Sequence, residues 1–246
     1  MINIFIDFDG TITRQDVGDA MFEHCGGNQS IQAVNDYRES KISAVECFVR
    51  ECDACSEVDK SALDDFLDAQ EIDPTFKDFI DFCRAQSMTP CILSDGMDYY
   101  IKRILVNNGV GDVHFFSNKL DLVPVNGSTR VQFQPSFPYT DEVCDRCACC
   151  KRNHMLSLSG DEDVIVYVGE GYSDRCPARY ADVVFAKDDL LKYCRQENIP
   201  FFEYQSFADI VKRLTLLLNQ HTPAKYPGLR KRRQAELARR EAFIGG

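Results

Sequence analysis

The sequence predicts an α/β protein with a parallel-sheet core and a helical segment inserted after the first strand. Short runs rich in Ile, Val and Phe recur along the chain, and runs apolar on both faces are typical of buried parallel strands. Helical patterns separate these runs, and a stretch of about sixty residues near the start contains helical patterns alone. The predicted strands are Ile2–Phe8, Pro90–Ser94, Val164–Gly169 and Val183–Ala186.

The helices of the core are predicted from the spacing of apolar residues and from the residues that typically begin a helix. An i, i+3, i+4, i+7 apolar pattern begins at Phe76 behind Asp73 and Pro74, a favourable N-cap and first-turn pair. The same pattern begins at Phe207 behind Ser206. Strand and helix signals therefore alternate in this part of the chain, as a parallel α/β sheet requires.

The inserted segment lies between Asp16 and Gln70, where Ser43 and Glu46 form a predicted capping box. Beyond the second strand, the sequence around Asn126 and Gly127 predicts a hairpin-like pair of strands. The predicted organisation is a core of residues 1–13 and 74–221, a helical cap of residues 14–73 and a basic C-terminal extension of residues 222–246.

The composition is that of a soluble globular protein, with 44% hydrophobic and 27% charged residues among 246. The formal net charge of −11 argues against nucleic acid as the main partner. No apolar stretch approaches membrane-spanning length, and the first residues lack the basic start of a signal peptide. Twelve cysteines without an export signal are expected to be reduced thiols in the cytoplasm or to include a metal site. Residues 222–246 hold seven Lys and Arg against two Glu, and are interpreted as a solvated extension.

Two carboxylates, Asp7 and Asp9, end the first predicted strand in the sequence IFIDFDGTIT. Residues two apart on a strand point to the same side, so the two charges would repel unless a cation or a reaction uses them. Gly10 permits a sharp turn, and Thr11 adds a hydroxyl. The alternative is that both aspartates are turn and N-cap residues.

The second predicted strand of the core ends in Ser94, Asp95 and Gly96. A serine hydroxyl and the backbone N–H groups around a glycine can form an anion site suited to phosphate. A plain loop start is the alternative.

A third strand ends in Gly169, Glu170 and Gly171, with Asp174 beyond it. Carboxylates at two strand ends indicate a site for a hard cation, and Mg²⁺ prefers oxygen ligands. Lys151, which precedes a helical stretch, could supply a point charge to a phosphoryl oxygen.

Together, DxDGT, SDG, the later Lys151 and GEGxxD resemble the four motifs of the haloacid dehalogenase (HAD) superfamily, in the same order. The resemblance implies a Rossmann-like core and a cap of the phosphoserine-phosphatase-like branch. It also implies that Asp7 is the nucleophile that forms an aspartyl-phosphate, and that Asp9 is the general acid and base. Thr11, Ser94, Asp95, Gly96 and Lys151 would bind the substrate, and the metal residues would be Asp7, Asp9, Glu170 and Asp174, with Asp174 ordering the metal's waters or Lys151.

One departure from the family pattern is Glu170, since this position more often holds Asp. Glutamate is one methylene longer, and octahedral Mg²⁺ tolerates misplaced ligands poorly. Activity is still expected, because the carboxylate is kept and Gly171 gives the loop room to adjust.

A narrower resemblance lies in the sequence CDRCACCKRNHML, where a cysteine cluster leads directly into Lys151. It is similar to the 2-hydroxy-3-keto-5-methylthiopentenyl-1-phosphate phosphatases of methionine salvage. Four thiols also raise the hypothesis of a structural Zn²⁺, with thiols that bind no metal as the alternative. The candidate zinc ligands are Cys144, Cys147, Cys149 and Cys150.

The sequence therefore predicts a Mg²⁺-dependent phosphomonoesterase of a small phosphorylated metabolite, acting as a monomer or homodimer. Relatives of the same branch act on phosphoserine, phosphocholine, pyridoxal phosphate or thiamine phosphate, and these substrates remain alternatives. A non-catalytic binding or redox module on the same fold is the hypothesis from a different class.

Overall fold

The computed structural model describes residues 1–125, 127–142 and 146–220. By its internal contacts the chain divides into two compact units, whose described residues are 1–7, 73–92 and 151–220 in the first unit and 8–72, 93–125, 127–142 and 146–150 in the second. Within the described residues, no helix is both long and apolar enough to span a membrane.

The described part of the chain contains eight strands and ten helices. The strands are β1 Ile2–Ile6, β2 Val58–Asp59, β3 Thr89–Met97, β4 Phe115–Pro124, β5 Arg130–Ser136, β6 Val164–Gly169, β7 Val183–Ala186 and β8 Phe202–Glu203. The helices are α1 Val17–Gly26, α2 Asn28–Arg38, α3 Ala44–Ala54, α4 Lys60–Asp68, α5 Phe76–Ala85, α6 Asp98–Asn107, α7 Lys151–Ser157, α8 Arg175–Tyr180, α9 Asp188–Gln196 and α10 Phe207–Gln220.

The first unit is built on parallel strands in the order β3, β1, β6, β7, β8, to which β3 contributes residues 89–92. Strand β1 lies between β3 and β6, where Ile4 pairs with Pro90 on one side and Val166 on the other. Ile4 and Val166 are buried, as expected for strands covered on both faces. The predicted parallel α/β core is confirmed.

Helices α5 and α10 pack together in this unit through Phe76, Phe79 and Phe207, with ring centroids 4.8 and 5.0 Å from Phe207. The predicted role of Asp73 as the N-cap of α5 is wrong, because that cap is Thr75. Asp73 instead accepts hydrogen bonds from the N–H of Thr75 (2.7 Å) and, with its other oxygen, from the N–H of Phe207 (3.1 Å). It therefore caps α10, which begins 134 residues later.

The second unit contains the strand order β2, β5, β4, β3, with β3 contributing residues 93–97. Strands β4 and β5 are antiparallel, which confirms the predicted hairpin. Gly127 has φ of 75°, a left-handed conformation that favours glycine, and Asn126 lies outside the described residues. Val58 and Asp59 form a short antiparallel strand on β5, so the prediction of helices alone between Asp16 and Gln70 is wrong at this point.

Helices α1, α3 and α4 of the second unit follow the predicted helical patterns, whereas α2 had no predicted pattern of its own. At the start of α3, the Ser43 hydroxyl accepts the N–H of Glu46 at 3.1 Å, which is one half of the predicted capping box. The Glu46 carboxylate instead accepts a hydrogen bond from Arg50 at 2.8 Å, one turn further along the helix.

The division into compact units differs from the predicted division into core and cap, since residues 93–150 group with residues 8–72. The boundaries of the predicted core, 1–13 and 74–221, and of the predicted cap, 14–73, therefore remain a prediction. The basic extension of residues 222–246 lies outside the described residues.

Candidate active site

The first cluster of candidate residues lies in the first unit, around the side chain of Lys151 at the start of α7. The Lys151 ammonium is 2.6 Å from an Asp7 oxygen and 2.7 Å from an Asp174 oxygen, and it donates to the Ser173 hydroxyl at 2.9 Å. Both carboxylates are buried, and the lysine is 1% exposed. A buried cation is thus held between two anions, and the cluster carries one net negative charge.

Asp7 owes its position to the sheet. It directly follows β1, and its backbone N–H donates to the carbonyl of Val168 in β6 at 2.9 Å, which extends the parallel pairing by one residue. Its side chain therefore leaves the carboxyl end of a central strand, where ligands bind in open α/β sheets.

Asp174 orders the loop that follows β6. One of its oxygens accepts from Lys151 and from the hydroxyl of Tyr167, and the other accepts the N–H groups of Glu170 (2.8 Å) and Gly171 (2.9 Å). A side chain at Gly169 would place its Cβ 2.5 Å from the same carboxylate, so glycine is required there. Burial, and then the charge of Asp174, raises the pKa of Tyr167 well above its usual value, which keeps this hydroxyl a neutral donor.

Glu170 is an acidic group next to this cluster whose pKa is raised. Burial, followed by the negative charges of Asp174 and Asp188, raises the pKa of Glu170 to about 7. Its backbone carbonyl accepts the N–H of Leu190 in α9 at 2.7 Å, so the loop itself is anchored. A half-buried carboxylate with excess negative charge beside it is suited to a cation.

The second cluster lies in the second unit and is centred on Asp9. One oxygen of this carboxylate accepts the N–H groups of Val17 and Gly18, both at 3.2 Å, at the start of α1. The other accepts from the hydroxyls of Ser94 (3.2 Å) and Tyr100 (2.7 Å). Four donors therefore fix the orientation of Asp9.

The predicted phosphate-binding segment follows the apolar part of β3. The N–H of Gly96 donates to the Ser94 hydroxyl at 2.8 Å. Asp95 holds a neighbouring loop, because its carboxylate accepts the N–H of Cys149 at 2.6 Å and its carbonyl accepts from the Asn118 amide. The structure therefore gives Asp95 loop contacts, whereas its predicted role in substrate binding stays a prediction.

The turn after Asp9 brings three successive N–H groups, from Thr11, Ile12 and Thr13, onto the carbonyl of Phe8. Gly10 adopts φ of 66° in this turn, a left-handed conformation that accounts for glycine at this position. Thr11 is 2% exposed, and its predicted contact with substrate stays a prediction.

The cysteine cluster was the basis of the zinc hypothesis. Cys147, Cys149 and Cys150 are buried, and Cys144 lies outside the described residues. In the part of the chain that the structure describes, no group of three or more His, Cys, Asp or Glu side chains is placed to hold a metal ion. This finding lends no support to a zinc site.

The structure thus brings Asp7, Lys151 and Asp174 together in one unit, and Asp9, Ser94 and Gly96 together in the other. Sequence reasoning missed two tyrosines, Tyr167 and Tyr100, which bind the carboxylates of these clusters. Their signal in the sequence was weak, because each lies within or next to an apolar run and is indistinguishable there from a core residue.

The first unit is thus a parallel sheet with an aspartate at the end of its central strand, hydrogen-bonded to a buried lysine. Two solved structures share the fold of this chain. The HAD family hydrolase t0658 of Salmonella enterica serovar Typhi is 18% identical with a TM-score of 0.65, and the match covers 83% of this chain and 68% of that one. A phospho-aspartyl intermediate analogue of phosphoserine phosphatase is 16% identical with a TM-score of 0.61, and the match covers 86% of this chain and 98% of that one. The family model described as "Putative Phosphatase" matches residues 2–198, and the chain belongs to that family.

Two relatives are similar over most of their length. Pdp3-interacting factor 1 of Schizosaccharomyces pombe is 32% identical over 228 residues, which are 87% of this chain and 95% of that protein. The 2-hydroxy-3-keto-5-methylthiopentenyl-1-phosphate phosphatase of Bacillus pumilus is 28% identical over 208 residues, covering 83% of this chain and 87% of that protein.

Proposed function

We propose that this phosphatase hydrolyses the phosphomonoester of a small metabolite in two steps, through an aspartyl-phosphate on Asp7. The observation that carries the proposal is the buried Lys151 ammonium 2.6 Å from the Asp7 carboxylate. A fixed cation beside a carboxylate nucleophile attracts the phosphoryl group and neutralises charge on its oxygens during transfer.

In the first step, an Asp7 oxygen attacks phosphorus, and the bond from phosphorus to the ester oxygen breaks as Asp9 gives that oxygen a proton. In the second step, Asp9 takes a proton from water, and the resulting hydroxide attacks the phosphorus of the aspartyl-phosphate. Inorganic phosphate leaves, and both carboxyl groups return to their starting states. The acid in the first step is thus the base in the second.

The phosphoryl oxygens would be bound by the Ser94 hydroxyl, the Gly96 N–H and Lys151, and Thr11 of the DxDGT motif would also bind the substrate. Ser94 and Gly96 form a hydrogen bond to each other in this structure, and both groups are donors that can turn to an anion. Because phosphoryl transfer depends mainly on positioning and electrostatics, these donors supply much of what the reaction needs.

Mg²⁺ is the cofactor we assign, and Asp7, the backbone carbonyl of Asp9 and Glu170 would hold it. Glu170 fits this role, because its oxygens are ligands of the type that Mg²⁺ prefers, and its pKa is raised first by burial and then by the negative charges of Asp174 and Asp188. When bound, the ion would neutralise phosphoryl charge. Asp174 is assigned to orienting Lys151 and the 170–171 loop, because both its oxygens already accept two hydrogen bonds.

The substrate we propose is 2-hydroxy-3-keto-5-methylthiopentenyl-1-phosphate, an intermediate of methionine salvage. Relatives of this chain bear the name of that phosphatase, and the cysteine cluster before Lys151 carries the resemblance described from the sequence. A cytoplasmic location belongs to the same proposal and rests on the twelve cysteines and the substrate.

The experiment is phosphate release from a panel of metabolite phosphomonoesters, with and without Mg²⁺, by the wild type, Asp7→Asn and Asp81→Asn. Asp81 lies exposed on α5 and serves as the matched control for loss of a carboxylate. We expect release that needs Mg²⁺, falls at least about a thousandfold in Asp7→Asn, and is unchanged in Asp81→Asn.

Each arm refutes a separate part of the proposal. No release from any ester by the wild type would reject a phosphomonoesterase. Release that survives in Asp7→Asn would reject the nucleophile, and release without Mg²⁺ would reject the cofactor. A preference for an ester other than methylthiopentenyl phosphate would replace the substrate and leave the mechanism in place.

A further inference from the structure

The Tyr100 hydroxyl is the group by which α6 contacts the Asp9 carboxylate. Tyr100 lies in the first turns of α6 and is completely buried, with its ring 6.1 Å from that of Phe8. A phenylalanine could fill the same apolar space, whereas a buried hydroxyl costs free energy unless it is hydrogen-bonded. The hydroxyl donates to Asp9 at 2.7 Å, a shorter distance than those from Val17, Gly18 and Ser94 to the same carboxylate.

Two glycines leave the space that this hydroxyl occupies. A Cβ at Gly96 would lie 1.7 Å from the Tyr100 oxygen, and a Cβ at Gly18 would lie 3.0 Å from it. Gly18 is also a donor to Asp9, so the same residue admits the hydroxyl and binds the carboxylate.

The two oxygens of the Asp9 carboxylate accept hydrogen bonds from different groups. One oxygen is bound by the N–H groups of Val17 and Gly18. The other is shared by Tyr100 and Ser94, and Ser94 is assigned to the phosphoryl group under the proposed function. When Ser94 turns to the phosphoryl group, Tyr100 still binds this oxygen.

We propose that Tyr100 is a positioning residue for Asp9, which holds the carboxyl group in the orientation needed to protonate the leaving oxygen and later to deprotonate water. This inference rests on the proposed function. The inference has a consequence that can be tested: the contribution of Tyr100 to the rate should depend on how strongly the leaving group requires a proton. A misplaced acid slows the departure of an alkoxide and has little effect on a leaving group that departs as a stable anion.

The test measures kcat/KM for a series of phosphomonoesters that runs from alkyl phosphates to p-nitrophenyl phosphate. Tyr100→Phe is expected to lose about tenfold to a hundredfold with alkyl phosphates and less than about threefold with p-nitrophenyl phosphate, with KM little changed. Asp9→Asn serves as the reference, because it shows how kcat/KM depends on the basicity of the leaving group when the general acid is absent. The matched control is Tyr99→Phe, because Tyr99 is the adjacent tyrosine on α6 and its hydroxyl donates to Asp64 instead. Its kcat/KM should equal that of the wild type throughout.

A second variant, Gly18→Ala, tests the same contact without removing a hydroxyl. Its methyl group would press on the Tyr100 oxygen, and alanine is well tolerated in a helix. We expect the same selective loss with alkyl phosphates, and this variant carries the test if Tyr100→Phe does not fold.

The outcomes separate this inference from the proposed function. An active wild type together with a uniform loss, or no loss, in both variants would overturn the positioning role and leave the phosphatase mechanism intact. A wild type that hydrolyses none of the esters would reject the proposed function, and the role of Tyr100 would fall with it.

Discussion

Glu51 in α3 is a buried acid whose replacement by glutamine should stabilise the protein in a pH-dependent way. It is 2% exposed, one of its oxygens has no hydrogen-bond partner in the described structure, and the other accepts only a weak contact from the Cys47 thiol at 3.8 Å. Burial, and then the charge of Asp19, raises the pKa of Glu51 from 4.5 to about 8. The folded protein therefore favours the protonated carboxyl.

The sign of the effect follows from this raised pKa. Below about pH 4.5 the carboxyl is protonated in both the folded and the unfolded chain, so it adds no pH-dependent term. Between about pH 4.5 and 8 the unfolded chain releases the proton while the folded chain keeps it, so the free energy of unfolding falls as pH rises. The full change in the pKa of Glu51 corresponds to about 5 kcal/mol in the free energy of unfolding. Local relaxation reduces such terms, and we expect Glu51→Gln to gain about 2 to 3 kcal/mol at pH 8.

The assay is urea unfolding of the wild type and Glu51→Gln at several values between about pH 5 and 8. The difference in free energy of unfolding should be near zero at the acidic end and should grow steadily toward pH 8. Glu46→Gln is the matched control, since Glu46 is exposed on the same helix, and it should stay within about 0.5 kcal/mol of the wild type. Parallel curves for the wild type and Glu51→Gln would refute the reasoning.

Three further substitutions test contacts described above. Asp73→Ala should lower the free energy of unfolding by about 1 to 2 kcal/mol in urea without changing phosphate release, because it uncaps α10; unchanged stability would contradict the cap. Gly96→Ala should lower the melting temperature and abolish phosphate release, because its Cβ would lie 1.7 Å from the Tyr100 oxygen; a fully active variant would show that this fit is not needed. Lys151→Met should lower the free energy of unfolding in urea by about 3 to 5 kcal/mol and reduce phosphate release more than about a hundredfold, because it leaves two buried carboxylates without their cation. Lys192→Met, at an exposed site, should change neither quantity.

The features that the sequence predicted well are those with a local cause. Each parallel strand is a continuous apolar run, so β1, β6 and β7 could be recognised from their own residues. The carboxylates and glycines at the strand ends could be recognised in the same way, because they directly follow the apolar runs in the sequence.

The features that it missed depend on partners far along the chain. Asp73 lies just before one helix and caps another that begins 134 residues later. Strand β2 has two residues and exists only through its pairing with β5, so its own sequence contains no strand signal. Burial of Glu51 likewise depends on neighbouring elements, since a glutamate on a helix is exposed in most proteins.

The two candidate carboxylates Asp9 and Asp174 are held by the same arrangement of donors, although they lie in different units. In each, one oxygen accepts two consecutive backbone N–H groups, and the other accepts a buried tyrosine hydroxyl together with one further side chain. The tyrosines are Tyr100 and Tyr167, and the further side chains are Ser94 and Lys151.

The shared arrangement has a common physical reason. Two successive N–H groups bind a carboxylate oxygen and at the same time fix the backbone that carries them, so each acid orders a segment of chain: the start of α1 for Asp9 and residues 170–171 for Asp174. The tyrosine hydroxyl then fixes the second oxygen without adding charge, because burial keeps both tyrosines neutral. The remaining partner in each cluster, Ser94 or Lys151, is the group assigned to the phosphoryl oxygens. The backbone and tyrosine contacts would therefore keep each acid in place while Ser94 or Lys151 binds the substrate.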